Sequence, residues 1–334
     1  MKAITEGLME IGGYFGLDIP CYRELHPGAI KFQSARAAIR AVLECNGMKS
    51  VMMPAYVCSS VIKSAVDAGL EVETYDLDEI LYPKNIPRVL PDQCAFVYVN
   101  YFGLCQGNVT RLLNTIPRDR LIIDNSHALF SEHTNVLASI YSPRKFAGLP
   151  DGGLLKASPL LKVTLPIVED MGSFERMRYL LVRMAYSARE GYSGFVDARN
   201  SLVDNTPLAM SRLTQRLMKS IQWDQVALRR RENFTIMDRM VGAINDMFWV
   251  LGEGDVPLCY PLTLRGYDVN RIKIELAERN VFTATYWPDA LPRINANTIE
   301  SAFANETLFI PIDQRLESAQ VEAVGRLILK LIET

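Results

Sequence analysis

Residues 120–153 read RLIIDNSHALFSEHTNVLASIYSPRKFAGLPDGG. The apolar run LII stops at Asp124-Asn125-Ser126-His127, and the run VLASIY stops at Ser142-Pro143-Arg144-Lys145. Each has the form of a buried strand whose last residues turn polar. Ligands of open α/β sheets bind beyond the carboxyl ends of the strands, so polar residues just past apolar runs are the first site candidates. A carboxylate at the end of RLIID is partly desolvated and needs a partner. A protonated heterocyclic nitrogen is one such partner, and a cap on the following turn is the plainer one. Lys145, between VLASIY and a Gly-containing loop, loses pKa if it is shielded, because desolvation disfavours the ammonium. A neutral amine can condense with an aldehyde, whereas a solvated lysine does nothing. The combination narrows the choice: an Asp at a strand end, a Lys 21 residues later and a Gly-Gly turn at 152–153.

Outward from this stretch, helical and strand-like segments alternate from about residue 30 to 155. FQSARAAIRAVLECNG reads as a helix with Ser34 near its start and Asn46-Gly47 as its stop. SVMMPAY is a strand ending at Pro54, and CSSVIKSAVDAG a helix closed by Gly69. LEVETYDL, CAFVYVNYF, with Asn100-Tyr101 at its end, and RLIIDNS are strands. This alternation implies βαβ units and a parallel sheet. Residues 168–240, rich in Arg, Met and Leu at helical spacing, read as long helices. Beyond them VPLCYPLTL, VFTATYW and ETLFIPI read as strands, and DVNRIKIELAERN and SAQVEAVGRLILKLIE as helices. The expected division is a large α/β domain over 1–240 and a small α+β domain over 241–334. The RRRE run at 229–232 reads as a solvated helix face, and Cys58 as a small buried hydrophobe.

Bulk properties set the background. The 334 residues are 49% hydrophobic and 22% charged, with a formal net charge of -2. That balance suits a globular protein with a large core and points away from nucleic acid. No apolar stretch reaches the roughly 18 residues of a membrane span, and MKAITEGLMEIGGYFGL lacks the pattern of a signal peptide. Six scattered cysteines without a CxxC pair and only three histidines argue against structural zinc and a disulfide framework. A reduced, cytoplasmic setting is expected.

The motifs also carry a resemblance. DNSH at 124–127, IYSPRK at 140–145 and DGG at 151–153 match, in order and spacing, the D-A-A-H/Q, S-F-S-P-x-K and acidic-G-G pattern of the DegT/DnrJ-type nucleotide-sugar aminotransferases. That family lies within the fold-type-I enzymes dependent on pyridoxal phosphate. SARAA at 34–38, PAYVC at 54–58, ATYWP at 284–288 and FIPIDQR at 309–315 resemble further family motifs. The resemblance covers roughly residues 28–160 and 225–334. It implies a large domain with a mainly parallel sheet, a small C-terminal domain, a homodimer and pyridoxal phosphate as cofactor. Lys145 is then the Schiff-base lysine and proton shuttle, and Asp124 the partner of the pyridinium nitrogen, which strengthens the electron sink. His127 lies near the cofactor's O3′ oxygen or ring face. Ser34, Ala35 and Arg36 form the phosphate cup at a helix N-terminus, with the Ser142 hydroxyl beside it and Tyr56 or His127 against the ring. The implied reaction moves an amino group from a donor such as glutamate to a keto-sugar or related carbonyl. A lyase or decarboxylase on the same fold and a degenerate binding or regulatory homologue remain alternatives. The sequence departs from the family at Cys58, where an aromatic is usual, and at Ile140, where a serine is usual. It also lacks the G-Y-N-Y-R segment, replaced by 191–215, where Arg199 or Asn200 are the candidate substitutes.

Overall fold

The structure is a computed structural model that describes residues 13–45 and 47–333. The elements in chain order are β1 (Ile30–Phe32), α1 (Ala35–Cys45), β2 (Ser50–Pro54), α2 (Ser59–Asp67), β3 (Glu71–Tyr75), β4 (Cys94–Val99), α3 (Gln106–Leu112), β5 (Leu121–Asn125), β6 (Ala138–Tyr141) and β7 (Gly153–Ala157). Then follow α4 (Ser173–Ala185), α5 (Tyr192–Asn200), α6 (Arg212–Met218), α7 (Trp223–Val241), β8 (Tyr260–Thr263), α8 (Val269–Glu278), α9 (Ile299–Asn305), β9 (Thr307–Ile310) and α10 (Ser318–Ile332).

The first seven strands form one sheet in the order β1-β7-β6-β5-β4-β2-β3. β7 pairs antiparallel with both β1 and β6, and every other pairing is parallel. Every residue of β4, β5 and β6 is buried, as expected for central strands of a sheet covered on both faces. α1 turns Ala37, Ala38, Ile39, Ala41 and Val42 inward. The alanines let its backbone lie close to β6 and β7, which it contacts. The fold class is therefore the expected one, α/β with a mainly parallel sheet.

A second hydrophobic cluster joins Phe234, Met237 and Val241 of α7 to β8, β9, α8 and α10. β8 and β9 form a separate antiparallel pair. No helix among the described residues is long and apolar enough to cross a membrane.

Several expectations are corrected. The stretch 168–240 is four helices, of which only α7, with 19 residues, is long. The chain breaks between α6 and α7 because the Ser220 hydroxyl and the Trp223 indole N–H donate to the Leu217 and Met218 carbonyls, closing the end of α6. VFTATYW is not a strand: only Ala284 bridges to Phe309, and the segment turns away at Trp287, whose φ of 51° is left-handed, just ahead of Pro288. Within RRRE, Arg230 is not solvated but 2% exposed. Gly47 and Gly69 stand at the helix ends with φ of +68° and +80°, matching their stop roles; Asn46 lies outside the described residues. Two strands were not legible: β1 is only three residues, and β7 begins at Gly153, inside the expected turn.

Gly153 sets the position of α1. A Cβ at Gly153 would collide with the Ser34 carbonyl and the Ala35 amide, and Gly152 N–H donates to the Gln33 carbonyl at 2.7 Å. Gly153→Ala is expected to cost about 3 kcal/mol, the upper range for forced overpacking. Gly107→Ala, in α3 with nothing within 4 Å of its Cβ position, should be neutral or stabilise by about 0.5 kcal/mol. Urea denaturation of the two variants checks the contrast.

Candidate functional site

The sheet topology brings the expected residues to one edge. Asp124 is the fourth residue of β5, paired with Val99 of β4 and Ile140 of β6. It is 4% exposed, and its Oδ1 accepts the Ser126 N–H at 2.9 Å, a local turn of the kind weighed from sequence. β6 leads into a short 3₁₀ turn, Pro143–Lys145, in which the Lys145 N–H donates to the Ser142 carbonyl at 3.1 Å. Ser142 is buried. α1 begins at the same edge because β7, antiparallel to its neighbours, starts there and packs against Ser34 and Ala35. The Ser34 hydroxyl caps α1 by accepting the Ala37 N–H at 3.2 Å, while half-buried Ala35 and Arg36 form its first turn.

Electrostatics ties these groups together. Lys145 keeps an exposed surface, yet protein atoms crowd its amine. That crowding is the largest cause holding its pKa below the ordinary lysine value; Arg36 and Arg144 push the same way, and Asp124 and Cys58 oppose them. Arg36 is itself lowered, first by burial, with Arg144 and Arg199 adding repulsion and Cys58 opposing. Neither Arg36, Arg144 nor Arg199 forms an ion pair with a carboxylate among the described residues. Asp124 acts on Lys145 and Asp151 on Arg144, so the cations of this group outnumber its carboxylates, a balance that favours anions. Asp151 of the DGG turn is fully buried. Burial raises its carboxyl pKa, while the Ser211 and Thr214 hydroxyls, Arg176 and Arg144 pull it down; Arg176 Nη2 lies 3.9 Å away.

His127 is fully buried, and neither ring nitrogen has a hydrogen-bond partner among the described residues. Its ring stacks on Trp287 at 5.0 Å between centroids and on Phe102 at 5.6 Å, with Tyr286 tilted against it at 4.8 Å. Tyr56 is placed differently. It is fully buried, its hydroxyl donates to the Tyr286 carbonyl at 3.2 Å, and its ring meets the edge of Trp287 at 5.0 Å. Trp287 therefore stands between Tyr56 and His127. Half-buried Cys58 precedes α2 and contacts the Ser60 hydroxyl at 2.9 Å; Asn200 ends α5, with Arg199 beside it. Sequence reasoning missed Phe102, Tyr286 and Trp287 as neighbours of His127. The only signals were the FVYVNYF strand end and the YWP triplet.

No protein-family model matches the sequence, and no curated protein is similar to it. Solved structures are similar in fold. The sugar aminotransferase CalS13 from Micromonospora echinospora is 14% identical with a TM-score of 0.59, covering 90% of this chain and 87% of that one. Spr1654 from Streptococcus pneumoniae, in its PLP form, is 14% identical with a TM-score of 0.61, covering 92% and 87%. A DegT DnrJ EryC1 StrS aminotransferase from Brucella abortus is 13% identical with a TM-score of 0.59, covering 92% and 86%. The chain has the fold of these aminotransferases.

His127 also sets a pH dependence. Burial, and then the Lys145 charge, hold its pKa well below the ordinary 6.5. Below pH 6.5 the unfolded chain takes up a proton that the folded chain refuses, so this contribution to stability is full above that pH and is lost as pH falls. His127→Phe, which suits the aromatic surroundings, should flatten the loss between about pH 6.5 and 5. The slope should fall by up to about 1.4 kcal/mol per pH unit. His26 and His133, lowered first by burial as well, would leave a residual slope. Denaturation curves across this range check it.

Proposed function

We propose that the chain is a pyridoxal-phosphate-dependent aminotransferase that moves an amino group from an amino-acid donor such as glutamate to a nucleotide-linked keto-sugar or related carbonyl acceptor. The observation that carries this reading is the convergence of Lys145, Asp124 and His127 with the Arg36 end of α1 at one sheet edge. The likeness in fold to aminotransferases, one of them solved in its PLP form, supports it. The residues fit the cofactor. The free N–H groups of α1 with Arg36, Arg144 and Arg199 suit a phosphate dianion, and the unpartnered nitrogens of His127 suit a phenolic oxygen. The carboxylate of Asp124 suits a ring nitrogen, with Ser142 lining the lysine turn. Bound there, pyridoxal phosphate supplies an electron sink that makes a proton on the amino-bearing carbon removable.

The chain's own part is to hold and move protons. Asp124 keeps a proton on the ring nitrogen. Lys145, with its pKa lowered, is able to take a proton from carbon and return it. The aromatic wall of His127, Phe102, Tyr286 and Trp287 excludes water from one side. The division into a cofactor-binding part over 1–240 and a small part over 241–334, and a cytoplasmic setting, belong to the same proposal.

Lys145→Ala should lose the visible absorbance that borohydride removes in the wild type; a variant that keeps it places the cofactor on another lysine. Asp124→Asn should keep the cofactor but turn over at least about tenfold more slowly, because an amide cannot hold the ring proton by charge. A smaller loss would leave Asp124 as the turn cap alone. Glutamate added to the loaded protein should release about one equivalent of 2-oxoglutarate per chain without carbon dioxide, which separates transfer from decarboxylation.

A homodimer is part of this reading. Ile167, Met171, Phe174, Met184, Tyr192 and Phe195, on and ahead of α4 and α5, are exposed. A second copy of the chain is the proposed cover of these apolar side chains. Sedimentation at micromolar concentration should give a species of twice the chain mass. A single species at the chain mass, with cofactor bound, would remove the dimer.

A further inference from the structure

Arg230, in the middle of α7, is 2% exposed and forms no ion pair among the described residues. Its guanidinium donates to four neutral acceptors. These are Gln314 Oε1 at 3.1 Å, the Leu258 carbonyl at 2.9 Å, the Pro257 carbonyl at 3.3 Å and the Phe146 carbonyl at 3.4 Å. It also lies over the Phe146 ring, 4.7 Å from its centroid. Gln314 Nε2 donates to the same Phe146 carbonyl at 2.8 Å. The carbonyl of the residue after Lys145 is thus held by two donors, from α7 and from the segment after β9, and the Phe146 ring is pinned under a cation. Burial pulls the Arg230 pKa down to about 10, with Asp313 opposing. A buried cation without a carboxylate is costly, and here it stands where residues 146, 257–258 and 314 converge.

We propose that Arg230, acting with Gln314, is the positioning residue for Lys145, fixing through the Phe146 carbonyl the turn that carries the lysine and so the place of its amine. The role rests on Lys145 being the cofactor lysine. Arg230 acts through the backbone and not through its charge. The groups that act electrostatically on Lys145 are Asp124 from β5, Arg36 from α1, Arg144 beside it and Cys58 ahead of α2, with His127 on the receiving side. Arg230 is not among them. Loosening the turn admits water to the amine and lets its pKa return toward the ordinary value.

The test uses the full-length chain freed of cofactor, with acetic anhydride as the amine probe. Acetylation of Lys145 is followed by mass spectrometry as a function of pH. The wild type should titrate below the ordinary lysine value. Arg230→Met should raise the midpoint by about one pH unit, a tenfold drop in the neutral fraction at pH 8. Gln314→Ala, which removes one donor to Phe146 and leaves Arg230 in place, should raise it less. A purely structural role for Arg230 would lower the melting temperature and leave the midpoint alone. Folded variants with the wild-type midpoint overturn the proposal, and if Arg230→Met does not fold, an unmoved midpoint in Gln314→Ala does so by itself. Failure of the aminotransferase reading is distinguishable, because the wild type would then show no borohydride-sensitive absorbance, or Lys145→Ala would keep it, whatever the midpoint does.

Discussion

The site depends on one contact between backbones, that of Gly153 with the Ser34–Ala35 peptide. β7 runs against β6 and β1, so its first residue lies at the edge where the parallel strands end. Packing that residue against the start of α1 fixes the open end of the helix at the same edge as Asp124 and the Lys145 turn. Any residue with a Cβ at 153 would push the helix away and separate the anion-attracting N–H groups from the lysine. The glycine is therefore a requirement of assembly, and Gly152, with φ of +127°, supplies the bend that delivers it.

That assembly gathers charges that repel one another. Burial first, and then repulsion from Arg144 and Arg199, lower the pKa of Arg36, and burial, Arg36 and Arg144 lower that of Lys145. Asp124 opposes them at Lys145 and Asp151 at Arg144. A folded state that concentrates cations in this way is less stable than it could be, and an anion that binds only the folded chain offsets the repulsion by mass action. Burial first, and the neighbouring cations after it, hold the pKa of Lys145 and of His127 below the ordinary values.

Much of this was legible from sequence, for identifiable reasons. Strand ends followed by polar residues, the Lys145 spacing and the Gly-Gly turn are local signals, and each fell at the sheet edge. Three-residue β1 gives too few residues to show a period, and β7 was hidden because its first residue is the glycine that reads as a turn. The ATYW segment has strand propensity, but a left-handed Trp287 and one bridge to Phe309 override it. Arg230 was read as solvated because its neighbours Arg229 and Arg231 are charged too. Nothing local distinguishes the one residue of the three that faces Phe146, Leu258 and Gln314. The sequence offered Tyr56 or His127 for the cofactor ring, and the structure adds that Trp287 packs against both, a neighbourhood that only the tertiary fold decides.

The aromatic wall shows where the chain departs from local preference. Phe102 and Trp287 both adopt left-handed backbone, with φ of 56° and 51°, a conformation that costs a bulky residue on the order of 1–3 kcal/mol. Phe102 is followed by Gly103, also left-handed, whose Cβ position lies 2.9 Å from the His127 carbonyl and 2.5 Å from that of Val256. The Leu258 N–H then donates to the Phe102 carbonyl at 2.8 Å, joining this bend to the residues that accept from Arg230. Left-handed backbone occurs elsewhere too, at Leu81 and Gln93 among others, but two of these residues stack on His127, and the segment bent at Phe102 is held by the same buried guanidinium that donates to the Phe146 carbonyl. Phe102 and Trp287 thus hold their rings on His127, whose nitrogens have no partner among the described residues, only by backbone conformations that the surrounding packing must over-determine.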